Sequence, residues 1–351
     1  MRIPLTTACL ILPLVLSCQP APAGPVAKTQ QQEIFTTVIQ LTLYGNPPDA
    51  VFTQIFDRLR RIDTLMSDYD PQSEVSRLSD QAGGPPTAVS PETLTVLHSA
   101  LTEAALTKGI FDPTIGPVTH LWDISGQAGQ KSPQIPTADA IRHARELVGW
   151  KDLLVDDAKG TVQLKRPGMI LDLGGVAKGF AMDEALRIAQ QAGVTSGILN
   201  MGNSSLALLG KKPDGAEWKV GIQDPFQTVG TPFAIVTGSD MTVETSGTYQ
   251  KFFVANGHRY HHIMDPRTGA PAESGLEQVT LLLPLDTKLA DGLSTSCFIL
   301  GRDQGMKLIE SLPDAAAIFV ASDKHVYLSS RVGNRFQLKD PSFQVVSAVS
   351  P

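Results

Sequence analysis

Helical and extended segments alternate along most of this 351-residue chain, which restricts it to folds that mix helices and strands. Apolar residues recur at spacings of three and four between Val51 and Met66, so a helix is predicted over residues 49–66. Further helices, each followed by a glycine, are predicted over residues 90–108, 137–148, 179–192 and 290–300. Strands are predicted in runs rich in β-branched and aromatic residues: 34–44, 161–165, 169–172, 195–200, 218–222, 233–236, 243–245, 278–283, 316–321 and 325–329. The sequence therefore predicts an α+β fold.

The N-terminus has the pattern of an export signal. An apolar run from Ile3 to Leu16 follows Arg2, and it is too short to span a bilayer. It ends in Ser17 before Cys18, as in the bacterial lipobox, which predicts cleavage before Cys18 and lipidation of that cysteine. The alternative is an ordinary secretory signal with an incidental cysteine. We expect an exported protein, lipid-anchored to the membrane on its extracytoplasmic or periplasmic face.

Composition divides the chain and excludes one class of partner. We expect a signal peptide over residues 1–17, a Pro-, Ala- and Gln-rich flexible tether over 18–32, the folded domain over 33–340 and a tail over 341–351. The net charge of -6 argues against nucleic acid as the main partner, because phosphate-backbone binding needs a concentrated basic patch. Of the three cysteines only Cys297 lies in the predicted domain, so no internal disulfide is expected.

A glycine-rich turn joins a predicted strand to a predicted helix at Asp172, Gly174, Gly175 and Lys178. Glycines let a ligand approach the backbone, and the free N–H groups at a helix start favour phosphate, to which Lys178 can add charge. The spacing matches neither the dinucleotide fingerprint nor the P-loop. A plain turn therefore remains an alternative to a phosphate site.

Two adjacent histidines, His261 and His262, precede an Asp265-Pro266-Arg267 turn that ends at Gly269. Neighbouring residues in a strand point to opposite faces, so at most one of the two faces a given site. This disfavours a metal site built from the pair. The alternative is a polar hairpin loop capped by Asp265 and Gly269.

Two further segments have both a functional and a structural interpretation. Asp291 and Thr295 share one face of a predicted helix, and their oxygens suit Mg²⁺, although spacing alone favours a helix cap. The loop from Gly109 to Pro117 is dense in glycine and proline and flanked by aromatic residues. It can line a flat heteroaromatic ring, or it can be a packed surface loop.

These four segments, in this order, resemble the ApbE family of FAD:protein FMN transferases over about residues 34–330. Three shorter segments add to the resemblance: Met66-Ser67-Asp68-Tyr69 with Ser73-Glu74, Asn200-Met201-Gly202-Asn203, and Thr245-Ser246-Gly247-Thr248-Tyr249. The resemblance implies a T-fold-related, two-lobed α+β body with an FAD cleft between the lobes. It also implies Mg²⁺-dependent transfer of FMN from FAD to a Thr or Ser hydroxyl of an acceptor flavoprotein, with release of AMP.

The resemblance also implies roles for individual residues. The implied Mg²⁺ ligands are Asp291, Thr295 and the Gly175 carbonyl, with Ser294 assisting. The implied FAD-binding residues are Tyr69, Ile110, Phe111, Asp112, Asp172, Lys178, His262 and Ile263. His262 is the implied base that takes the proton from the acceptor hydroxyl, and His261 is the second candidate. The implied acceptor is a membrane redox subunit with a Ser/Thr-Gly-Ala-Thr-like target.

Two departures and two rival functions remain. Phe35-Thr36-Thr37 stands where the family usually has Met-Gly-Thr, and Asn203 replaces the second glycine of its Asn-x-Gly-Gly segment. One rival is an Mg²⁺-dependent FAD pyrophosphatase that yields FMN and AMP, but a tyrosine at position 69 resembles the transferase type. The other is a lipoprotein that carries FAD without chemistry.

Overall fold

The computed structural model describes residues 26–285 and 290–346, with the backbone alone for residues 290 and 291. The predicted signal peptide, the predicted lipidation site Cys18 and the Asp291 side chain lie outside the described residues. The described part combines long helices with β-sheets, which confirms the predicted α+β class.

Strands make up the larger share of the elements in the described residues. In chain order they are β1 (Lys28–Ile34), β2 (Thr37–Leu43), β3 (Thr87–Ala88), β4 (Leu153–Asp156), β5 (Thr161–Leu164), β6 (Gly197–Met201), β7 (Ser205–Leu209), β8 (Trp218–Gln223), β9 (Pro232–Gly238), β10 (Met241–Gly247), β11 (Phe252–Ala255), β12 (His258–His261), β13 (Met264–Asp265), β14 (Ala270–Pro271), β15 (Leu276–Pro284), β16 (Ala316–Ala321), β17 (His325–Leu328), β18 (Phe336–Leu338) and β19 (Gln344–Val346).

The largest sheet has nine strands in the order β1-β2-β6-β7-β10-β15-β16-β17-β19. Its neighbours pair antiparallel except β17 and β19, which are parallel. Two three-stranded sheets, β18-β9-β8 and β3-β5-β4, and the hairpins β11-β12 and β13-β14 complete the strands. Strand β10 lies in the interior of the large sheet between β7 and β15, so backbone pairing on both sides fixes its position.

The described residues contain eight α-helices. They are α1 (Asp49–Met66), α2 (Glu74–Asp80), α3 (Pro91–Leu106), α4 (Gly116–Trp122), α5 (Ile124–Gln127), α6 (Ala138–Glu146), α7 (Gly174–Gln191) and α8 (Ala290–Glu310). The backbone of α8 leaves helical geometry at Gly301, with φ 77°, where the sequence predicted its end. Within the described residues, no helix combines the length and the apolar character that a membrane crossing requires.

Two apolar layers hold the large sheet between the helices and a second sheet. Helix α1 packs on α7, and α8 packs on α7, β10 and β15. Phe298 on α8 meets Val279 and Leu281 of β15 in one core, while Leu282 faces the opposite core formed with the β8-β9 strands. Burying each such side chain contributes about 1.5–3 kcal/mol, so packing fixes α8 against β10 and β15.

The structure corrects the predicted domain bounds at both ends. Residues 28–32 of the predicted tether belong to β1, which pairs along its whole length with β2. Strand β19 lies in the predicted tail and pairs with β17. The predicted single strand over 34–44 is interrupted at its start. Phe35 and Thr36 both have φ 54° and form the turn of this hairpin, and β2 follows as its second arm.

The predicted strand over residues 169–172 is also wrong. Ile170 forms one isolated bridge with Ile115, and the Asp172 N–H donates to the Pro113 carbonyl at 2.9 Å. This segment therefore lies along the Gly109–Pro117 loop. Helix α7 begins at Gly174, five residues before the predicted start at Gly179.

Candidate functional site

Asp172 ties the start of α7 to two other parts of the fold. Its Oδ1 accepts the Gly174 N–H at 3.0 Å, and its Oδ2 accepts the Thr119 hydroxyl of α4 at 3.0 Å. Burial and then the charge of Asp68 raise the pKa of Asp172, against the stabilising bonds from Gly174 and Thr119. Leu173, at the N-cap of α7, makes no side-chain cap. The Gly174 N–H at the start of α7 is thus taken up by the Asp172 carboxylate, and the N–H groups of Val176 and Ala177 donate to the Leu173 carbonyl at 2.9 and 2.8 Å.

Asp68, Tyr69 and His120 lie beside this carboxylate. His120 Nε2 lies 3.0 Å from Asp68 Oδ2, and this hydrogen bond raises the pKa of His120. The Tyr69 and His120 rings are 6.0 Å apart between centroids, and Tyr69 is 71% exposed. His120 was not singled out from the sequence. Asp68 lies inside the Met66–Tyr69 segment, so its motif was a usable signal.

The loop before α4 is packed onto the start of α7. A Cβ added at Gly175 would lie 2.9 Å from Cε2 of Phe111, so glycine is needed for this approach. Asp112 Oδ1 accepts the Thr114 hydroxyl at 2.6 Å, and its Oδ2 accepts the Trp150 N–H at 3.0 Å. The Asp112 carboxylate therefore fixes the loop internally, and this loop in turn positions Gly175.

Two residues predicted to bind FAD have side chains in the core against α8. Ile110 and Ile263 are buried there. The Ile263 carbonyl accepts the Ala272 N–H at 2.9 Å, and its N–H donates to His261 Nδ1 at 3.3 Å. Any FAD contact by Ile110 or Ile263 therefore depends on backbone atoms.

The two histidines occupy different environments, as strand alternation predicted. His261 is 5% exposed; its Nε2 bonds the Ala272 carbonyl at 3.0 Å and its ring packs edge-on against Phe298. His262 is half-buried, and its Nδ1 lies 3.3 Å from the Lys251 carbonyl. Because a carbonyl only accepts, Nδ1 of neutral His262 bears the proton and Nε2 keeps a lone pair.

Burial, together with nearby basic groups, keeps His262 neutral. Burial, followed by the charges of His261, Lys251 and Lys178, lowers the pKa of His262 to about 3. Burial and Lys178 also lower the pKa of Lys251, against the opposing effect of Asp172. Lys251 was missed in the sequence; it lies two residues beyond the Thr245–Tyr249 segment. Two cations, one neutral imidazole and one carboxylate thus lie within electrostatic reach of one another.

Hydroxyl groups converge at the first turns of α8. Ser246 Oγ on β10 lies 2.7 Å from Ser294 Oγ and 3.2 Å from Thr295 Oγ1. Helix α7, which carries Gly175, packs against α8. Hydroxyl, carbonyl and carboxylate oxygens are the ligands that Mg²⁺ prefers, so the hydroxyls present fit such an ion.

The proposed ligand set differs from a carboxylate or histidine cluster. In residues 26–285 and 292–346, no three His, Cys, Asp or Glu side chains come together as a metal site. The predicted set draws on hydroxyl and backbone oxygens with one carboxylate, Asp291, whose side chain is outside the described residues. The predicted roles of Gly175, Asp291, Ser294 and Thr295 stay predictions.

Comparison with known proteins decides the family. The ApbE family profile matches residues 35–319. The chain belongs to the ApbE family. It is 32% identical to the FAD:protein FMN transferase of Treponema pallidum (strain Nichols), covering 88% of this chain and 89% of that one.

Solved ApbE structures share the fold. The ApbE protein of Thermotoga maritima matches with a TM-score of 0.78 and 29% identity, covering 87% of this chain and 97% of that one. The flavin transferase ApbE from Vibrio cholerae matches with a TM-score of 0.76 and 27% identity, covering 88% and 99%. The predicted family and ApbE-like fold are confirmed.

Proposed function

We propose that this chain is a transferase that moves FMN from FAD onto a threonine or serine hydroxyl of an acceptor flavoprotein and releases AMP. The observation that carries the proposal is the match to an FAD:protein FMN transferase at 32% identity over nearly the whole length of both chains. The geometry around His262 adds chemical support, since its Nδ1 is held by the Lys251 carbonyl.

In the proposed reaction, His262 Nε2 accepts the proton of the acceptor hydroxyl as its oxygen attacks the FMN-side phosphorus of FAD. The bond between that phosphorus and the bridging oxygen breaks, and AMP leaves with the bridging oxygen. The new bond joins the acceptor oxygen to FMN, and the proton stays on His262 until solvent takes it. The Nδ1–H bond to Lys251 holds the ring in place throughout.

We assign binding of the FAD pyrophosphate to Lys178, near the start of α7, and to Lys251. The ammonium groups of Lys178 and Lys251 would hold the phosphate oxygens. We assign the cation to the Gly175 carbonyl and the side chains of Asp291, Ser294 and Thr295. The chemistry supplied by bound Mg²⁺ is positive charge that stabilises the phosphate oxygens of the transition state.

The test incubates the protein with FAD, Mg²⁺ and a candidate acceptor flavoprotein. We expect flavin fluorescence on the acceptor after denaturing electrophoresis, with one AMP released for each FMN attached. AMP release without labelling would identify a pyrophosphatase instead. Tight FAD binding without AMP release would identify a carrier, and either outcome would overturn the proposal.

We also propose that a lipid on Cys18 holds the enzyme at the extracytoplasmic face of the membrane, near a membrane redox subunit that serves as acceptor. The apolar run that ends in Ser17-Cys18 supports this. Cys18→Ala should move the protein from the membrane to the soluble fraction of its bacterial host. Unchanged membrane association of the variant, with no lipid mass on the wild type, would refute the anchor.

A further inference from the structure

Ser246 links the central sheet to the proposed metal ligands. It is 6% exposed, and its hydroxyl contacts two hydroxyls on α8, Ser294 at 2.7 Å and Thr295 at 3.2 Å. These contacts join residues 48 and 49 positions apart in the chain. Ser246 lies on β10 and pairs with Val279 of β15, and the preceding residues Met241–Glu244 of the same strand also pair with β7, so the backbone that carries its Oγ is held in the sheet.

The chemistry of a hydroxyl ligand gives this contact a purpose. A hydroxyl that binds a cation uses a lone pair and must turn its proton away from the ion. Ser246 Oγ can accept such a proton, and a cation-polarised O–H group forms a stronger hydrogen bond. An acceptor fixed on the sheet therefore selects the rotamer in which the Thr295 or Ser294 lone pairs face the cation.

We propose that Ser246 is a positioning residue for the Mg²⁺ site: it orients the hydroxyls of Thr295 and Ser294 and thereby sets the affinity for the cation. This inference rests on the proposed function, because it takes Thr295 and Ser294 as ligands. Ser246 itself is not assigned as a ligand. A purely structural serine at this place would affect folding stability and leave cation affinity unchanged.

The test measures cation binding directly on the full chain, with Mn²⁺ as the spectroscopic probe for Mg²⁺. Free Mn²⁺ is followed by electron paramagnetic resonance, in the absence and presence of FAD. Ser246→Ala should raise the Mn²⁺ dissociation constant about tenfold, the size expected when an outer-shell partner is lost. Ser246→Thr keeps a hydroxyl and should restore most of the affinity. If the alanine variant does not fold, the Mn²⁺ affinity of the threonine variant is compared with that of the wild type instead.

Ser329→Ala is the matched control. Ser329 is also buried, and its hydroxyl accepts the Ala317 N–H at 2.8 Å at a different place on the same sheet. It should lose a comparable amount of thermal stability and bind Mn²⁺ like the wild type. A Ser246→Ala variant with wild-type Mn²⁺ affinity overturns the proposal.

A double variant separates this proposal from the metal assignment. If Ser246 acts through Thr295, adding Ser246→Ala to Thr295→Ala should change Mn²⁺ affinity much less than it does in the wild type. If Thr295→Ala alone binds Mn²⁺ like the wild type, or the wild type binds none, the ligand assignment fails and the role of Ser246 fails with it. If Ser246→Ala changes Mn²⁺ affinity equally in both backgrounds, Ser246 does not act through Thr295, and that part of the proposal is overturned.

Discussion

A single imidazole, His262, carries the proton transfer in the proposed reaction, and its surroundings set the pH at which it can work. The pKa of His262 is lowered from 6.5 to about 3, first by burial and then by neighbouring positive charge. A general base acts in its deprotonated form, so the lowered pKa extends its working range toward acid. We expect kcat/KM for FAD, which reports free-enzyme groups, to stay level as the pH falls through 6.5. Steady-state transfer rates between about pH 4.5 and 8 measure this.

The matching variant is His262→Asn, which removes the base. Transfer should fall by roughly 10²–10⁴, the range that general-base catalysis contributes, while FAD still binds. His258→Asn, at an exposed histidine of β12, is the control and should transfer at the wild-type rate. An acid limb centred at 6.5 in the wild type, or full transfer by His262→Asn, would contradict the assignment.

Asn203 shows how this chain accommodates a departure from its family. Its φ of 62° lies in the left-handed region, where asparagine is among the best tolerated residues after glycine. The Asn203 N–H donates to Asn200 Oδ1 at 2.8 Å, and the Asn200 amide donates to Asn203 Oδ1 at 2.8 Å. The departure therefore preserves the turn that glycine would form.

We expect Asn203→Gly to change the free energy of unfolding by less than about 0.5 kcal/mol, since glycine accepts the same φ. Asn203→Val should cost about 1–3 kcal/mol, because a β-branched residue is strained at this φ. Urea unfolding of both variants measures the difference. Equal stability of the two would show that the positive φ imposes no constraint at this position.

Where the environment of a residue follows from local spacing, it could be predicted from the sequence. Alternation along a strand was enough to predict that His261 and His262 face different surroundings. The roles of Ser246 and Lys251 could be identified only from the fold. Ser246 contacts the first turns of α8 and Lys251 contacts His262, and no local sequence pattern indicates either contact. His120 likewise meets Asp68 across 52 positions of the chain.

At the scale of elements, helices were predicted more accurately than strands. The spacing of Val51 to Met66 is local, and α1 spans Asp49–Met66, matching the predicted bounds. Strand β1 was missed because its glutamine-rich sequence resembles a tether and its stability comes from pairing with β2. The early start of α7 was missed because Gly174 and Gly175 resemble a turn in the sequence, and the packing of Phe111 on Gly175 is a contact that only the fold creates.

The contact between Phe111 of the Gly109–Pro117 loop and Gly175 of α7 can therefore be tested by substitution. Gly175→Ala would place a Cβ 2.9 Å from Cε2 of Phe111, and we expect a loss of about 1–3 kcal/mol in unfolding free energy together with slower transfer. The cause is displacement of the Phe111 ring or of the helix start. Chemical denaturation and the transfer assay measure the two effects.

Gly179 gives a control on the same helix. A Cβ there meets nothing within 4 Å, so Gly179→Ala should gain about 0.5–1 kcal/mol from higher helix propensity. Phe111→Leu, a smaller side chain, should partly rescue Gly175→Ala. Loss of stability in Gly179→Ala but not in Gly175→Ala would show that the Phe111 contact does not constrain this helix start.

At the scale of the whole molecule, the order of motifs identified the family, whereas the path of the chain through the large sheet was not predictable. The sheet places β10 between β7 and β15, so elements from three separate stretches of chain meet. This arrangement brings Ser246 to α8 and the segment after β10 to His262. Pairings of such high sequence separation are set by the complete core and leave no periodic signal in any one segment.

His261 and His262 also predict how global stability depends on pH. The folded-state pKa of His261 is about 4 and that of His262 about 3, both below the ordinary value of 6.5. As the pH falls below 6.5, the unfolded chain protonates these histidines while the folded protein keeps them neutral. Their contribution to stability is therefore complete above pH 6.5 and is lost as the pH falls toward the folded-state pKa values. Each histidine contributes a slope of at most about 1.4 kcal/mol per pH unit in that window.

Raised carboxyl pKa values work in the opposite direction, so the histidine contribution must be isolated by comparison. Burial raises the pKa of Asp112 and Asp172, and protonation of these groups favours the folded state as the pH falls. Both groups remain in His261→Gln, so the difference in slope between wild type and variant reports His261. We expect the unfolding free energy of His261→Gln to fall less steeply with acid between about pH 6.5 and 4.5, while His258→Gln follows the wild type. Parallel curves for wild type and His261→Gln would mean that His261 titrates in the folded protein as it does in the unfolded chain, and that its burial against Phe298 does not disfavour the charged form.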